Sequence, residues 1–229
     1  MRRSLCALPS AGIFGRLKLA VAAIAASVAL CGMAQASSNL IFNGDFELGN
    51  TGFSTDYTHS PATGVPEGVY AILNNPAFGW HPQAASYYDH TTGTSSGKMM
   101  AVNGAIYPGK IVWSQTVSVS ANTTYIFSGW VSSWFPESPA QLEISVNSTP
   151  IGTVTAPSTT GVWQQFSFTW FSGSSTSAVL SIVDLNTDSS GNDFALDDLS
   201  FVPEPGSLLA LGVGLIGLTA RKRLRSKSS

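Results

Sequence analysis

From residue 39 onward, short runs of β-branched and aromatic residues alternate with clusters of Gly, Ser, Asn and Pro, and no helical period persists. The clearest run is Ile111–Val119. Ile111, Trp113, Val117 and Val119 share one face with Gln115, while Val112, Ser114, Thr116 and Ser118 share the other. Such period-two patterning predicts a strand with one buried face. Ala121-Asn122 signals a turn, and Thr124–Trp134 is the next strand. Gln141–Val146, Ile151–Thr155, Val162–Phe171, Ala178–Leu185 and Phe194–Val202 follow. Upstream, only Leu40–Phe42, Val69–Leu73 and Met99–Val102 read as extended, and residues 49–96 read as loop-rich. Many short strands at this spacing predict an all-β domain, a jelly-roll β-sandwich over residues 37–202.

The pattern changes at both ends. Arg2, Arg3, Arg16 and Lys18 precede an apolar stretch from Leu19 to Leu30, and Ala34-Gln35-Ala36 supplies small residues for signal peptidase. Residues 1–36 therefore read as a secretory signal peptide. Cys6 and Cys31 are the only cysteines and leave with it, so the exported domain has neither disulfide nor thiol chemistry. At the other end, Pro203-Glu204-Pro205 is followed by an apolar run, Leu208–Ala220, and then by Arg221, Lys222, Arg223 and Arg225. Positive charge resists translocation, so this basic stop holds the C-terminus on the cytoplasmic side of a membrane. Thirteen helical residues reach only about 20 Å, short of the ~30 Å hydrocarbon core. That length suits a transient anchor held until a protease cuts.

Charge separates the domain from its flanks. Between residues 37 and 202, Lys98 and Lys110 face twelve acids, a net charge of −10. Such a domain is a poor binder of nucleic acid or anionic membrane and suits divalent cations or neutral ligands.

Two resemblances bear on these features. Residues 203–229, with motif, apolar run and basic tail in that order, resemble the PEP-CTERM sorting signal of Gram-negative bacteria. That resemblance implies processing near Pro203-Glu204-Pro205 by the membrane protease exosortase, and export to the envelope or the extracellular matrix of a biofilm. Asn39-Leu40-Ile41-Phe42-Asn43-Gly44-Asp45-Phe46-Glu47 resembles the opening strand of carbohydrate-binding modules with a galactose-binding-like jelly roll. Asn192–Phe201 resembles their closing strand, and Asp89-His90-Thr91-Thr92-Gly93 is similar to MAM-type jelly rolls. Related modules often hold a structural Ca²⁺ where the first and last strands meet. The resemblance implies a site of Glu47, Asp197 or Asp198, and backbone oxygens around Asp45.

Other candidate chemistry is read from the residues. Trp130 and Trp134 share a face of one predicted strand with Ser128 and Ser132, an aromatic-plus-hydroxyl surface suited to sugar rings, and Trp80 and Tyr88 could rim it. Asn186–Asp193 carries oxygen-bearing residues before a glycine but lacks the remaining ligands of a Ca²⁺ loop, and reads better as a turn. Gly93-Thr94-Ser95-Ser96-Gly97 matches a nucleophile-elbow pattern outside the strand-to-helix setting that gives it meaning. His59, His81 and His90 have no metal-ligand spacing. The expectation is an exported, non-catalytic domain associating with extracellular polysaccharide. A matrix or adhesion protein without specific glycan binding is the alternative, and a polysaccharide hydrolase stands third.

Overall fold

A computed structural model describes residues 38–204, which fall in one compact unit, Ser37–Glu204. The signal peptide, the apolar run and the basic tail lie outside the described residues. Ten strands form: β1 (Thr58–His59), β2 (Val69–Leu73), β3 (Met99–Asn103), β4 (Ile111–Ser118), β5 (Thr124–Phe135), β6 (Gln141–Val146), β7 (Thr149–Thr155), β8 (Gln164–Phe171), β9 (Ser177–Asp184) and β10 (Asp193–Pro203). They make a six-stranded sheet, β1-β2-β3-β10-β5-β8, and a four-stranded sheet, β4-β9-β6-β7. The described residues contain no helix. The domain is a jelly-roll β-sandwich.

The main core lies between the sheets. Tyr125, Phe127, Val131, Phe194, Leu196, Leu199 and Phe201 face Trp113, Leu142, Ile144, Leu180 and Ile182. Alternation predicts one core face for β4. A register shift between Ile111 and Trp113 instead turns both Val112 and Trp113 inward.

A second, smaller cluster packs Val69, Ala71, Ala101 and Trp134 with Trp80. It lies on the outer face of the six-stranded sheet, beneath the loop-rich stretch that sequence left unstructured. Ala85 N–H donates to Trp134 O at 3.0 Å, and the Trp80 indole donates to Ser60 O at 2.8 Å. With both faces covered, β3 is buried along its whole length.

Leu40–Phe42 is not a strand. The opening motif folds instead into consecutive turns, with Asn43 and Phe46 at φ 56° and 55°. A Cβ on Gly44 would lie 2.0 Å from Leu199 O, so only glycine permits this approach to β10. The last strand runs through Pro203, one residue past the predicted domain end.

Candidate functional site

The site forms where the 89–92 segment crosses the outer face of β10 and β5. Asp197 pairs with Trp130 across the two strands, and a bulge follows before Ser200 pairs with Ser128. Asp198 sits in that bulge at φ 47°. The extra residue reverses parity, so Leu199 and Phe201 point into the core while Asp197 lies on the outer face. Asp197 is nevertheless fully buried, because the 89–92 segment closes over it. Its carboxylate accepts from His90 N–H at 2.7 Å, Thr91 N–H at 3.1 Å and Asp198 N–H at 2.8 Å. Burial, and then the charge of Asp198, push its pKa up to about 8 against the opposing backbone hydrogen bonds.

The His90 imidazole stacks on the Trp130 indole, with centroids 3.8 Å apart and planes 19° apart. Its Nδ1 lies 2.6 Å from Asp198 Oδ2. Trp163 meets the same imidazole edge-on at 5.8 Å, and its own indole donates to Tyr88 O at 3.2 Å. Neighbouring Asp89 is not the partner of His90: its carboxylate accepts from the Thr92 backbone N–H and hydroxyl. The partner lies more than a hundred residues away, across a bulge that periodicity does not announce. Trp163 was missed because it lies just before β8, which begins at Gln164 and not at Val162, so strand alternation does not set its facing.

The expected sugar platform forms only in part. The face assignment of β5 holds, but Trp134 is 0% exposed and donates its indole N–H to Val102 O and Phe194 O. Trp80 is 3% exposed and meets Trp134 edge-on at 5.7 Å. Both belong to the covered outer cluster. Trp130 and Tyr88 remain half-buried, and Tyr88 contacts exposed Phe78 at 6.4 Å. Beyond Trp130 the outer face is open. Gln165, opposite Trp130, is exposed, as are Ser167 and Thr169 on the edge strand β8.

The four acids named for Ca²⁺ do not converge. Asp45 and Asp198 line an open cavity of about 330 Å³ with Asn39, Asn43 and Ser200. Asp197 is enclosed by amide donors. The Glu47 carboxylate accepts from Lys98 N–H at 2.9 Å, while Lys98 Nζ donates to Glu47 O at 2.8 Å. Among the described residues, no group of three acids, histidines or cysteines is placed to hold a metal. As arranged, these carboxylates do not fit a Ca²⁺ cage, because hydrogen-bond donors already occupy them. The Asn186–Asp193 loop is likewise tied inward: Asn186 Nδ2 donates to Ser138 O at 2.8 Å, and Ser138 Oγ donates to Asp188. Gly93–Ser96 is an exposed run of bends and a turn linked by Thr94 and Ser96 hydroxyls, ending at buried Gly97, with no helix behind it.

Comparison with known proteins adds two findings. Residues 201–223 match the PEP-CTERM protein-sorting motif. The chain carries this sorting signal, which marks an exported, envelope-associated protein. No curated protein matches the chain. Among solved structures, a cyclase from Fischerella sp. TAU is 13% identical, with TM-score 0.51, covering 74% of this chain and 98% of its own. The CBM22-1 xylan-binding domain of Paenibacillus barcinonensis Xyn10C is 15% identical, with TM-score 0.46, covering 74% and 97%. TmCBM61, solved with β-1,4-galactotriose, is 14% identical, with TM-score 0.46, covering 73% and 100%. These likenesses are of fold.

Proposed function

We propose that the chain is an exported envelope protein whose acidic jelly-roll domain associates, without catalysis, with extracellular polysaccharide. Signal peptidase removes its leader, and exosortase processes its tail, which holds the precursor in the inner membrane until then. The observation that carries the glycan reading is the open strip beside Trp130. There a half-buried indole, the Trp163 ring and the exposed side chains of Gln165, Ser167 and Thr169 lie on or beside one sheet face. Aromatic area next to amide and hydroxyl groups is what a sugar ring needs for stacking and orientation. With a net charge of −10 over residues 37–202, the domain favours neutral glycans over anionic ones.

The test is binding of purified residues 37–204 to the host's exopolysaccharide and to a panel of neutral glycans. Saturable binding that weakens at least about tenfold in Trp163→Ala, about 1.4 kcal/mol, supports the reading. A folded domain that binds none of them supports the second reading, a structural matrix or adhesion protein. The burial of Trp80 and Trp134 favours that second reading, because it removes half of the expected aromatic surface.

A further inference from the structure

The sorting motif begins inside the folded sheet. On one edge of β10, Phe201 pairs with Phe127, Val202 with Ile126 and Pro203 with Tyr125. Glu204 N–H then donates to Thr124 O at 2.9 Å. Proline has no N–H, so Glu204 carries the motif's single amide, and that amide is engaged. On the other edge, Asn39 Oδ1 accepts from Phe201 N–H at 2.8 Å, and Asn39 Nδ2 donates to Leu199 O at 2.9 Å. Leu40 N–H donates to Phe201 O at 2.9 Å. Phe201 itself is buried and stacks on Tyr125, with centroids 4.9 Å apart and planes 8° apart. Through Phe201 both edges of the closing strand are thus occupied, one by β5 and the other by residues that follow the expected signal-peptidase site; from Val202 to Glu204 the chain is held along the β5 edge.

A protease needs a locally opened, extended stretch of chain, and a strand hydrogen-bonded to β5 as far as Glu204 and anchored by the buried Phe201 ring offers none. We propose that the folded domain withholds the chain up to Glu204 from the processing protease, so that the cut falls on the C-terminal side of Glu204. This deepens the sorting reading and rests on it. The step is hydrolysis of one peptide bond: water supplies oxygen to the acyl carbon, and the tail departs with the new amine. The sheet, rather than the Pro-Glu-Pro sequence alone, then sets the upstream limit of processing. Asn39 helps set it by fastening the start of the mature chain to its last strand.

Two measurements test this. The first is amide exchange at Glu204 in the exported chain, residues 37–229, held in detergent. Exchange slowed at least about a hundredfold against a free peptide is expected for a hydrogen-bonded strand amide. Exchange at the free-peptide rate would overturn the proposal. The second is the intact mass of the mature protein from its host. A C-terminus at Glu204 or between it and the apolar run supports the limit. A C-terminus at Pro203 or earlier overturns the limit while leaving sorting intact, and an intact Ser229 overturns both.

Discussion

The imidazole of His90 lies flat against the indole of Trp130, 3.8 Å between centroids, while its Nδ1 meets Asp198 Oδ2 at 2.6 Å. This contact pins the 89–92 segment to β5 and β10 together. It also covers one face of the tryptophan that the glycan reading needs. Removing the ring in His90→Ala should cost about 1–2 kcal/mol through the lost stack and charge-assisted hydrogen bond. For a domain of this size, that lowers Tm by roughly 2–8 °C. The same change should expose Trp130 to acrylamide quenching. Unchanged quenching and an unchanged melt would mean that the stack does not hold in solution.

Three buried carboxyls set the pH dependence. Burial raises Asp184 to about 7, and burial with neighbouring acids raises Asp193 and Asp197 to about 8. Their ordinary value is 3.8, so the folded state binds protons more tightly than the unfolded chain. The stability they contribute is fully present below pH ~4 and is lost as pH rises towards ~8. Repulsion within the acidic domain acts in the same direction. The thermal midpoint of residues 37–204 should therefore fall between pH 5 and pH 9. Asp184→Asn should flatten that fall, since its amide has no charge to bury. A midpoint that rises across this window would contradict the tighter proton binding of these buried carboxyls in the folded state.

Gly44 gives a sharp steric test. Its missing Cβ is what lets Leu199 O approach, and Leu199 N–H returns a 2.8 Å hydrogen bond to Gly44 O. Backbone cannot yield as a flexible side chain can, so Gly44→Ala should destabilise by about 3 kcal/mol or more through strain. Gly49→Ala, where a Cβ would meet nothing within 4 Å but φ is +83°, should cost only about 1 kcal/mol from that backbone angle. Equal effects of the two changes on the denaturant midpoint would remove the argument for close approach.

The strands of the second half were legible because each buries one face against the other sheet, which writes alternation into the sequence. The facing of Trp130, Ser132 and Trp134 followed from the same rule. Their exposure did not, because residues 74–98 cover that face by packing Trp80, His81 and Tyr87 onto it, and irregular segments carry no periodic signature. Strict alternation would place Asp197 on the same face as Leu199 and Phe201, and the bulge at Asp198 moves it to the outer face. One inserted residue reverses every facing downstream, and nothing in Ala195–Leu199 marks it. The opening motif was legible as a motif but not as a strand. Asn43 and Phe46 adopt positive φ, so the stretch turns where hydrophobicity alone reads it as extended.

Trp134 separates packing from binding. Its indole N–H serves two backbone carbonyls, and its ring fills the outer cluster against Trp80 and His81. Trp134→Ala should cost about 3–5 kcal/mol, the range for losing a large buried aromatic. Glycan affinity of whatever fraction stays folded should not change. Loss of binding from a fully folded Trp134→Ala domain would instead restore this residue to the sugar surface.

The hydrogen bond from Lys98 N–H to the Glu47 carboxylate bears on calcium. A Ca²⁺ ion takes six to eight oxygen ligands, and a bound ion stabilises the folded state by mass action. For Glu47 to serve, it would have to release Lys98, while Asp197 would have to release amides at 2.7 and 2.8 Å. Each lost buried hydrogen bond to a charged group costs about 1.5–3 kcal/mol. Melts of residues 37–204 in EDTA and in millimolar Ca²⁺ should therefore coincide. A Ca²⁺-dependent rise of several degrees, absent in Glu47→Gln, would show that the carboxylates reorganise around a cation and that the arrangement expected from the carbohydrate-module resemblance is the one adopted in solution.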